Sequence, residues 1–111
     1  MDFENNKPIY LQITDLICDR ILSGDLKPED RIASVRELGA EYQVNPNTVA
    51  RSYEKLTADG IIFNKRGIGF FISDDAYDKV LEQKRDEFIN NEVPRLRRRM
   101  ELLGLNPSDI F

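Results

Sequence analysis

Histidine and tryptophan are absent from the 111 residues of this chain, and cysteine occurs once, as Cys18. A single cysteine cannot form an intrachain disulfide, and without histidine the chain offers no pair of zinc ligands. Cys18 lies within an amphipathic segment, which favours a small core residue over a redox sensor and fits a reducing, cytoplasmic compartment.

Long apolar runs are missing too. Nothing in the sequence approaches the length of a membrane span, and the first residues, with Asp2 and Glu4, do not have the basic start of a signal peptide. We therefore expect a soluble chain that is neither exported nor associated with a membrane.

The residue combinations of common catalytic sites are also lacking. No hydroxyl or thiol has a histidine to act as its base, and no glycine-rich phosphate loop precedes a helix. Gly67-Ile68-Gly69 is too short a match to a nucleotide-binding loop, and it joins two β-rich runs. An enzyme is thus the less favoured alternative, and we expect no cofactor and no metal.

Positive charge is in short supply as well. The chain carries 16 Lys and Arg against 20 Asp and Glu. Residues 1–74 and residues 75–111 each contain more acidic than basic residues. Domains that bind nucleic acid usually carry a basic footprint, because phosphate attracts cations. A nucleic-acid ligand therefore requires local clusters of cations.

Two helices are indicated in the first third of the chain. Apolar residues recur at helical spacing over residues 8–22, between a proline and a glycine that suit the two helix ends. Ser34 and Glu37 form a Ser-x-x-Glu arrangement, in which both side chains satisfy free amides of a first helical turn. The second helix is therefore predicted to begin at Ser34 and to end near Gln43.

A third helix and a hairpin follow. Asn45 is a capping residue, and Pro46 costs nothing at the first helical position, so a helix is predicted over residues 46–58. Two β-rich runs, residues 61–63 and 69–72, are joined by a polar turn that contains glycine. The order of helix, helix-turn-helix and hairpin is that of a winged helix.

The remaining residues predict a long polar helix with a narrow apolar seam, in which Pro94 introduces a kink and Gly104 ends the helix. The helix is too charged elsewhere to pack around itself, so the seam needs a partner surface. We expect a mainly α fold with one small β-hairpin: a winged helix-turn-helix over residues 1–74, followed by a helical dimerisation tail over residues 75–111. The residues expected to pair two chains are Tyr77, Leu81, Phe88, Ile89, Val93, Leu96, Met100 and Leu103.

The third predicted helix has one apolar and one polar face. At 100° per residue, Asn47, Thr48, Arg51 and Lys55 fall opposite the apolar residues. In helix-turn-helix proteins the start of the second helix of the motif enters the major groove, where Arg pairs with guanine and Asn with adenine. Any solvated helix face can carry such residues, so the assignment depends on neighbouring clusters.

Two cationic features supply that context. Arg36 lies in the first turn of the second helix, where a cation opposes the helix dipole; a DNA contact explains it, and a surface ion pair is the alternative. Lys65 and Arg66 lie in the predicted turn of the hairpin, beside Gly67 and Gly69. The missing side chains would let the backbone approach a groove or a phosphate, and a solvated charged turn is the alternative.

Five short motifs follow one another over nearly all of residues 8–73. They are Pro8-Ile9-Tyr10-Leu11-Gln12-Ile13, Asp30-Arg31-Ile32, Ser34-Val35-Arg36-Glu37-Leu38, Asn47-Thr48-Val49-Ala50-Arg51-Ser52-Tyr53 and Arg66-Gly67-Ile68-Gly69. In this order they make the chain resemble the GntR family of bacterial regulators, and the short tail is similar to the YtrA subfamily, in which the tail mainly dimerises. The resemblance implies DNA contacts at Arg36, at Thr48 and its neighbours, and at Gly67. The candidate DNA-binding residues are Ser34, Arg36, Asn45, Asn47, Thr48, Arg51, Lys55, Lys65, Arg66, Gly67 and Gly69.

The chain departs from the family pattern at five positions. Pro46 and Ala50 stand where many members have basic residues, Glu29 replaces a common glycine, and Ala33 and Val35 replace a common Pro and Glu. Base preferences of other members therefore do not transfer. With few cations on the predicted recognition helix, residues 46–58, we expect the affinity for DNA to depend only modestly on salt.

These features predict a sequence-specific DNA-binding regulator, acting as a repressor. A homodimer would bind an inverted-repeat operator, with helix 46–58 in the major groove and the wing, residues 61–73, on the adjacent groove or backbone. The alternative is a winged helix that binds another protein, since the fold is reused without DNA and the net charge is −4. A tail this short leaves little room for an enclosed pocket, so an effector would bind at the dimer interface or between tail and wing.

Overall fold

The computed structural model describes residues 7–111, which form two compact units, one that runs to Val80 and one that begins at Leu81. Asp2 and Glu4, which argued against a signal peptide, lie outside the described residues. The helices and strands are α1 Ile9–Leu22, α2 Val35–Tyr42, α3 Pro46–Ala58, β1 Ile62–Lys65, β2 Gly69–Ile72, α4 Ala76–Glu87 and α5 Val93–Leu102. A π-helical segment, Phe88–Glu92, joins α4 to α5, and a 3₁₀ turn, Pro107–Asp109, follows α5. The predicted fold class is confirmed.

The start of α2 has the predicted reciprocal capping. The amide of Glu37 donates to Oγ of Ser34 at 3.1 Å, and the amide of Ser34 donates to Oε1 of Glu37 at 3.1 Å. The hydrogen bond from the Ser34 backbone is the main reason that the pKa of Glu37 lies below its ordinary value, because it stabilises the ionised carboxylate. The predicted helix start is therefore confirmed.

The turn between α2 and α3 is tight. A Cβ on Gly39 would lie only 2.7 Å from the carbonyl oxygen of Val44, so this position of α2 tolerates no side chain. Gln43 takes the left-handed conformation, φ 56, that ends α2. The side chain of Asn45 then accepts a hydrogen bond from the amide of Asn47 at 2.8 Å and starts α3, as predicted.

A single apolar core holds the first unit together. Its members come from every element between α1 and the start of α4: Ile13, Ile17, Cys18, Ile21, Leu26, Ile32, Leu38, Val49, Tyr53, Leu56, Ile61, Ile62, Ile72, Ala76 and Val80. The phenol of Tyr53 donates to the carbonyl of Ala33 at 2.6 Å, and burial raises the pKa of this phenol. Because Ala76 and Val80 are fully buried, the packed unit extends past residue 74. Cys18 is buried, as expected of a core residue.

The hairpin pairs β1 with β2 in antiparallel register, from Ile62 opposite Ile72 to Lys65 opposite Gly69. The first strand is therefore longer than predicted, and Lys65 lies in it rather than in the turn. The reason is ladder pairing with β2, which the polar sequence Asn64-Lys65 does not reveal. One face of the hairpin packs on α3, where Phe70 meets Tyr53 edge to face at 5.0 Å between ring centroids.

The second unit is helical. Before Pro94, where the sequence predicts a kink, the helix takes the π-helical form over Phe88–Glu92, since a proline has no amide for the carbonyl of Asn90. Gly104, with φ 68, ends α5, and Asn106 begins the 3₁₀ turn with a reciprocal cap to Asp109. Across residues 7–111 no helix combines the length and hydropathy needed to span a bilayer.

Candidate nucleic-acid interface

Three segments that are distant in sequence line two depressions of the first unit, and Arg36 belongs to both. The larger depression, of about 810 Å³, lies between α2 and α3 and is lined in part by Arg36, Asn45 and Asn47. The smaller, of about 390 Å³, lies between the start of α2 and the wing and is lined in part by Ser34, Arg36, Gly67 and Gly69. The structure thus brings the start of α2 together with both the recognition helix and the wing.

The start of α3 presents polar groups to solvent. Asn45, Asn47 and Arg51 are exposed, and Thr48 is half-buried. Such side chains suit either a base edge or a phosphate. Lys55 is also exposed, but its ammonium is 3.2 Å from the carboxylate of Asp59, so part of its charge is already compensated.

Arg51 is held by an aromatic ring that the sequence did not point to. Its guanidinium carbon lies 4.0 Å from the centroid of the Tyr10 ring, which belongs to α1. A cation over an aromatic face gains electrostatic attraction and loses some of its rotational freedom. The side chain is therefore oriented before any ligand binds.

The tip of the wing exposes backbone. Gly67 has φ 79, and a Cβ added there would meet no atom within 4 Å, so nothing in the first unit covers this peptide. Arg66 beside it is exposed. Lys65 is turned away from the face that packs on α3, and its ammonium lies 4.5 Å from the centroid of the Phe71 ring. Lys65 does not line the depression that Arg36 and Gly67 share.

Arg31 is a further cation at this surface. It is exposed and lines the smaller depression with Arg36, although it stands before α2 in the sequence. Asp30-Arg31-Ile32 is one of the five motifs of the sequence, which by itself indicates no role for Arg31. Arg31 lies near the wing because its main chain pairs with Phe71 of β2, and such a contact between distant segments cannot be predicted from the local sequence.

The charges of the first unit are unevenly compensated. Arg20 pairs with Asp25 at 2.7 Å and Lys55 with Asp59 at 3.2 Å. Within residues 7–111, Arg31, Arg36 and Arg66 form no ion pair, and no cluster of three potential metal ligands occurs in the same range. Of these three arginines, Arg31 and Arg36 line the same depression, so two uncompensated cations meet there despite the formal net charge of −4.

The predicted seam of the tail is only partly open. Tyr77, Phe88, Ile89, Leu96 and Leu103 are exposed, whereas Leu81 and Val93 are half-buried. Met100 is only 8% exposed and shares a depression with Leu105 and Phe111 of its own unit, so little of its surface is free for a partner. Leu102 and Ile110, which were not assigned to the seam, add exposed apolar surface.

Comparison with known proteins gives a consistent result. The model of the family "Bacterial regulatory proteins, gntR family" matches residues 9–72. The chain is 35% identical over 109 residues to the HTH-type transcriptional regulator YhcF of Bacillus subtilis, covering 98% of this chain and 88% of YhcF. It is 40% identical over 84 residues to the HTH-type transcriptional repressor YtrA of the same organism, covering 76% of this chain and 65% of YtrA.

A solved structure extends the likeness through the tail. The GntR family transcriptional regulator from Listeria monocytogenes is 33% identical and superposes with a TM-score of 0.77, covering 97% of this chain and 93% of that one. Helix-turn-helix, wing and helical tail are thus shared over nearly the whole length. The chain belongs to the gntR family of bacterial regulatory proteins and, within it, to the YtrA-like transcriptional regulators.

Proposed function

We propose that this regulator represses transcription in the cytoplasm by binding operator DNA as a homodimer, without enzymatic activity. The observation that carries the proposal is the placement of Arg36 in both depressions, between the recognition helix α3 and the wing. A duplex that meets Arg36 would meet the other two segments as well. This is the arrangement by which a winged helix-turn-helix docks on a groove and its backbone.

The roles divide by chemistry. Asn47, Thr48 and Arg51 can reach base edges, where an asparagine pairs with adenine and an arginine with guanine. Arg36 and Arg66 supply charge to phosphates, and Ser34 and the open peptide of Gly67 add hydrogen-bonding groups. With few uncompensated cations per chain, we expect the affinity to fall with salt less steeply than for a strongly basic domain.

Dimerisation would follow from the apolar residues of the tail. Two chains related by a two-fold axis place two recognition helices on successive major grooves, about 34–36 Å or a multiple apart. The operator would then be an inverted repeat. The names of the relatives, a regulator and a repressor of the HTH type, support this function.

A test begins with selection of bound fragments from genomic DNA, followed by nuclease protection with the full-length protein. We expect Arg51→Ala to weaken binding to the protected sequence by about 1–3 kcal/mol and to relax preference at one base pair. Lys27→Ala, an exposed cation before α2, is the matched control and should leave preference unchanged.

Equal loss of affinity for operator and random DNA in Arg51→Ala would make Arg51 a phosphate contact. Absence of any protected fragment, together with capture of a protein partner, would replace the proposal by a winged helix that binds protein. The same titrations with candidate small molecules would reveal an effector through a shift in operator affinity.

A further inference from the structure

We propose that Arg31 contacts a DNA phosphate beside the wing and is a binding residue in addition to those named above. The inference rests on the proposed function, because it requires DNA on this face of the first unit. It adds one side chain, that of Arg31, to those that contact the phosphates of that DNA. Three observations support it: a fixed main chain, a seat for the guanidinium, and uncompensated charge.

The main chain at Arg31 is fixed by the wing. Arg31 forms an isolated antiparallel bridge with Phe71 of β2. The amide of Ile32 donates to the carbonyl of Phe70 at 3.0 Å, and the amide of Ile72 donates to the carbonyl of Asp30 at 2.9 Å. The segment is therefore hydrogen-bonded to β2, and the main chain at Arg31 is held to the wing rather than lying in a free loop.

The side chain of Arg31 lies along Gly69. A Cβ on Gly69 would be 2.9 Å from Nε of Arg31 and 3.5 Å from one of its terminal nitrogens. Because Gly69 has no side chain, the guanidinium of Arg31 can lie directly against the backbone of β2. Opposite residues of antiparallel strands share a face, so Arg31 lies on the same face of the wing as Phe71.

The charge of Arg31 has no full partner in residues 7–111. The charge of Arg31 is the smallest of the contributions that change the pKa of Glu37, and the Ser34 backbone already engages that carboxylate. Arg31 and Arg36 line one depression, so two like charges face the same space. An anion there would relieve their repulsion, and the forked guanidinium matches the oxygens of a phosphate.

The test measures binding of the full-length protein to an operator duplex and to a random duplex at several salt concentrations. We expect Arg31→Ala to weaken both complexes alike, by about eightfold per protomer near 0.1 M salt, and to lower the salt slope by about one per protomer. Arg31→Lys should keep the slope, because it keeps the charge. Lys27→Ala, an exposed cation outside the depression, should change neither slope nor affinity.

The outcomes separate the two proposals. If the wild type binds DNA and Arg31→Ala leaves the slope unchanged, Arg31 is no phosphate contact and the inference fails while the proposed function stands. If the loss is confined to the operator, Arg31 reads a base and the inference is again wrong. If the wild type binds neither duplex, the proposed function itself fails. Urea unfolding of each variant checks that a lost complex does not reflect a lost fold.

Discussion

At the scale of single residues, the contact between Arg51 and Tyr10 links the polar face of α3 to α1. The guanidinium lies over a ring of α1, although Arg51 itself is exposed on α3. An unrestrained arginine loses about 2 kcal/mol of side-chain entropy when it is immobilised. Part of that loss is already incurred in the free protein, so we expect Tyr10 to position Arg51 for a DNA contact.

We expect Tyr10→Leu to reduce operator affinity by about two- to fivefold, the equivalent of the 0.5–1 kcal/mol of an exposed cation–π contact. Tyr10→Phe keeps the ring and should bind like the wild type. Fluorescence anisotropy on operator DNA measures both variants, and each is repeated in an Arg51→Ala background. If Tyr10→Leu costs as much without Arg51 as with it, the ring does not act through Arg51.

The residues of the site were only partly predictable. The face of α3 followed from helical periodicity, and Arg36 from a cation at an unfavourable end of a dipole, since both signals lie within one element. Tyr10 and Arg31 gave no such signal, because their roles depend on contacts with elements that are far away in sequence. The sequence predicts a turn at Lys65 because Lys65 and its neighbours are polar, whereas in the structure Lys65 lies in β1, paired with Gly69.

At the scale of elements, end signals predicted most boundaries. The caps at Ser34 and Asn45 and the glycine after α5 were read from local sequence, and the structure has each of them. The π-helical segment before Pro94 was not predicted in form, since the sequence indicates that a hydrogen bond is lost but not how the helix accommodates the loss. Local chemistry thus determined where elements begin and end better than their internal geometry.

One departure from the family pattern has a cost that the structure identifies. Glu29, where the family resemblance implies a common glycine, takes φ 67 in the turn before the residues that bridge to β2. A left-handed conformation costs an ordinary residue about 1 kcal/mol more than it costs glycine. A hydrogen bond with Asp74, which needs a shared proton, also raises the pKa of Glu29, so the two carboxyls repel each other when both are ionised.

We expect Glu29→Gly to raise Tm by several degrees, on the order of 5 °C, because it removes both the strain and the repulsion. Glu29→Gln removes only the charge, so its gain should be smaller and should fade as pH falls through the raised pKa of Glu29, where the wild-type carboxyl is protonated. Ser23→Gly, at φ −76, is the control and should lower Tm. Calorimetry at neutral and acid pH measures all three. If Gln matches Gly at neutral pH, repulsion rather than backbone strain is the cause.

At the scale of the whole molecule, the net charge disfavours binding to DNA, whereas the local distribution of charge favours it. The chain is acidic overall, yet Arg31 and Arg36, which form no ion pair within residues 7–111, line one depression beside the wing. Close contacts are screened by salt less than the long-range field is, because the Debye length at physiological salt is about 8 Å. We therefore expect local cations to govern binding and the overall charge to weaken association with random DNA.

An exposed leucine of the predicted seam tests the oligomeric state. Leu96 is 45% exposed on α5 and lies in the predicted seam, whereas Arg98, two residues on, is on another side of the same helix. Leu96→Gln removes an apolar side chain from each copy, so a symmetric interface loses the burial of two leucines, about 3 kcal/mol or more in total. We expect the dimer to dissociate about 100-fold more readily, and Arg98→Gln, the matched control with the same new side chain, to leave it intact.

Light scattering and sedimentation at micromolar concentration measure the mass of each variant, and a duplex that carries one half-site separates assembly from recognition. Leu96→Gln should bind this half-site as the wild type does but lose the additional affinity for the full inverted repeat, because that gain comes from linking two binding events. A wild type that is monomeric at these concentrations, or a Leu96→Gln variant that remains dimeric, would show that the exposed seam of the tail does not hold two chains together.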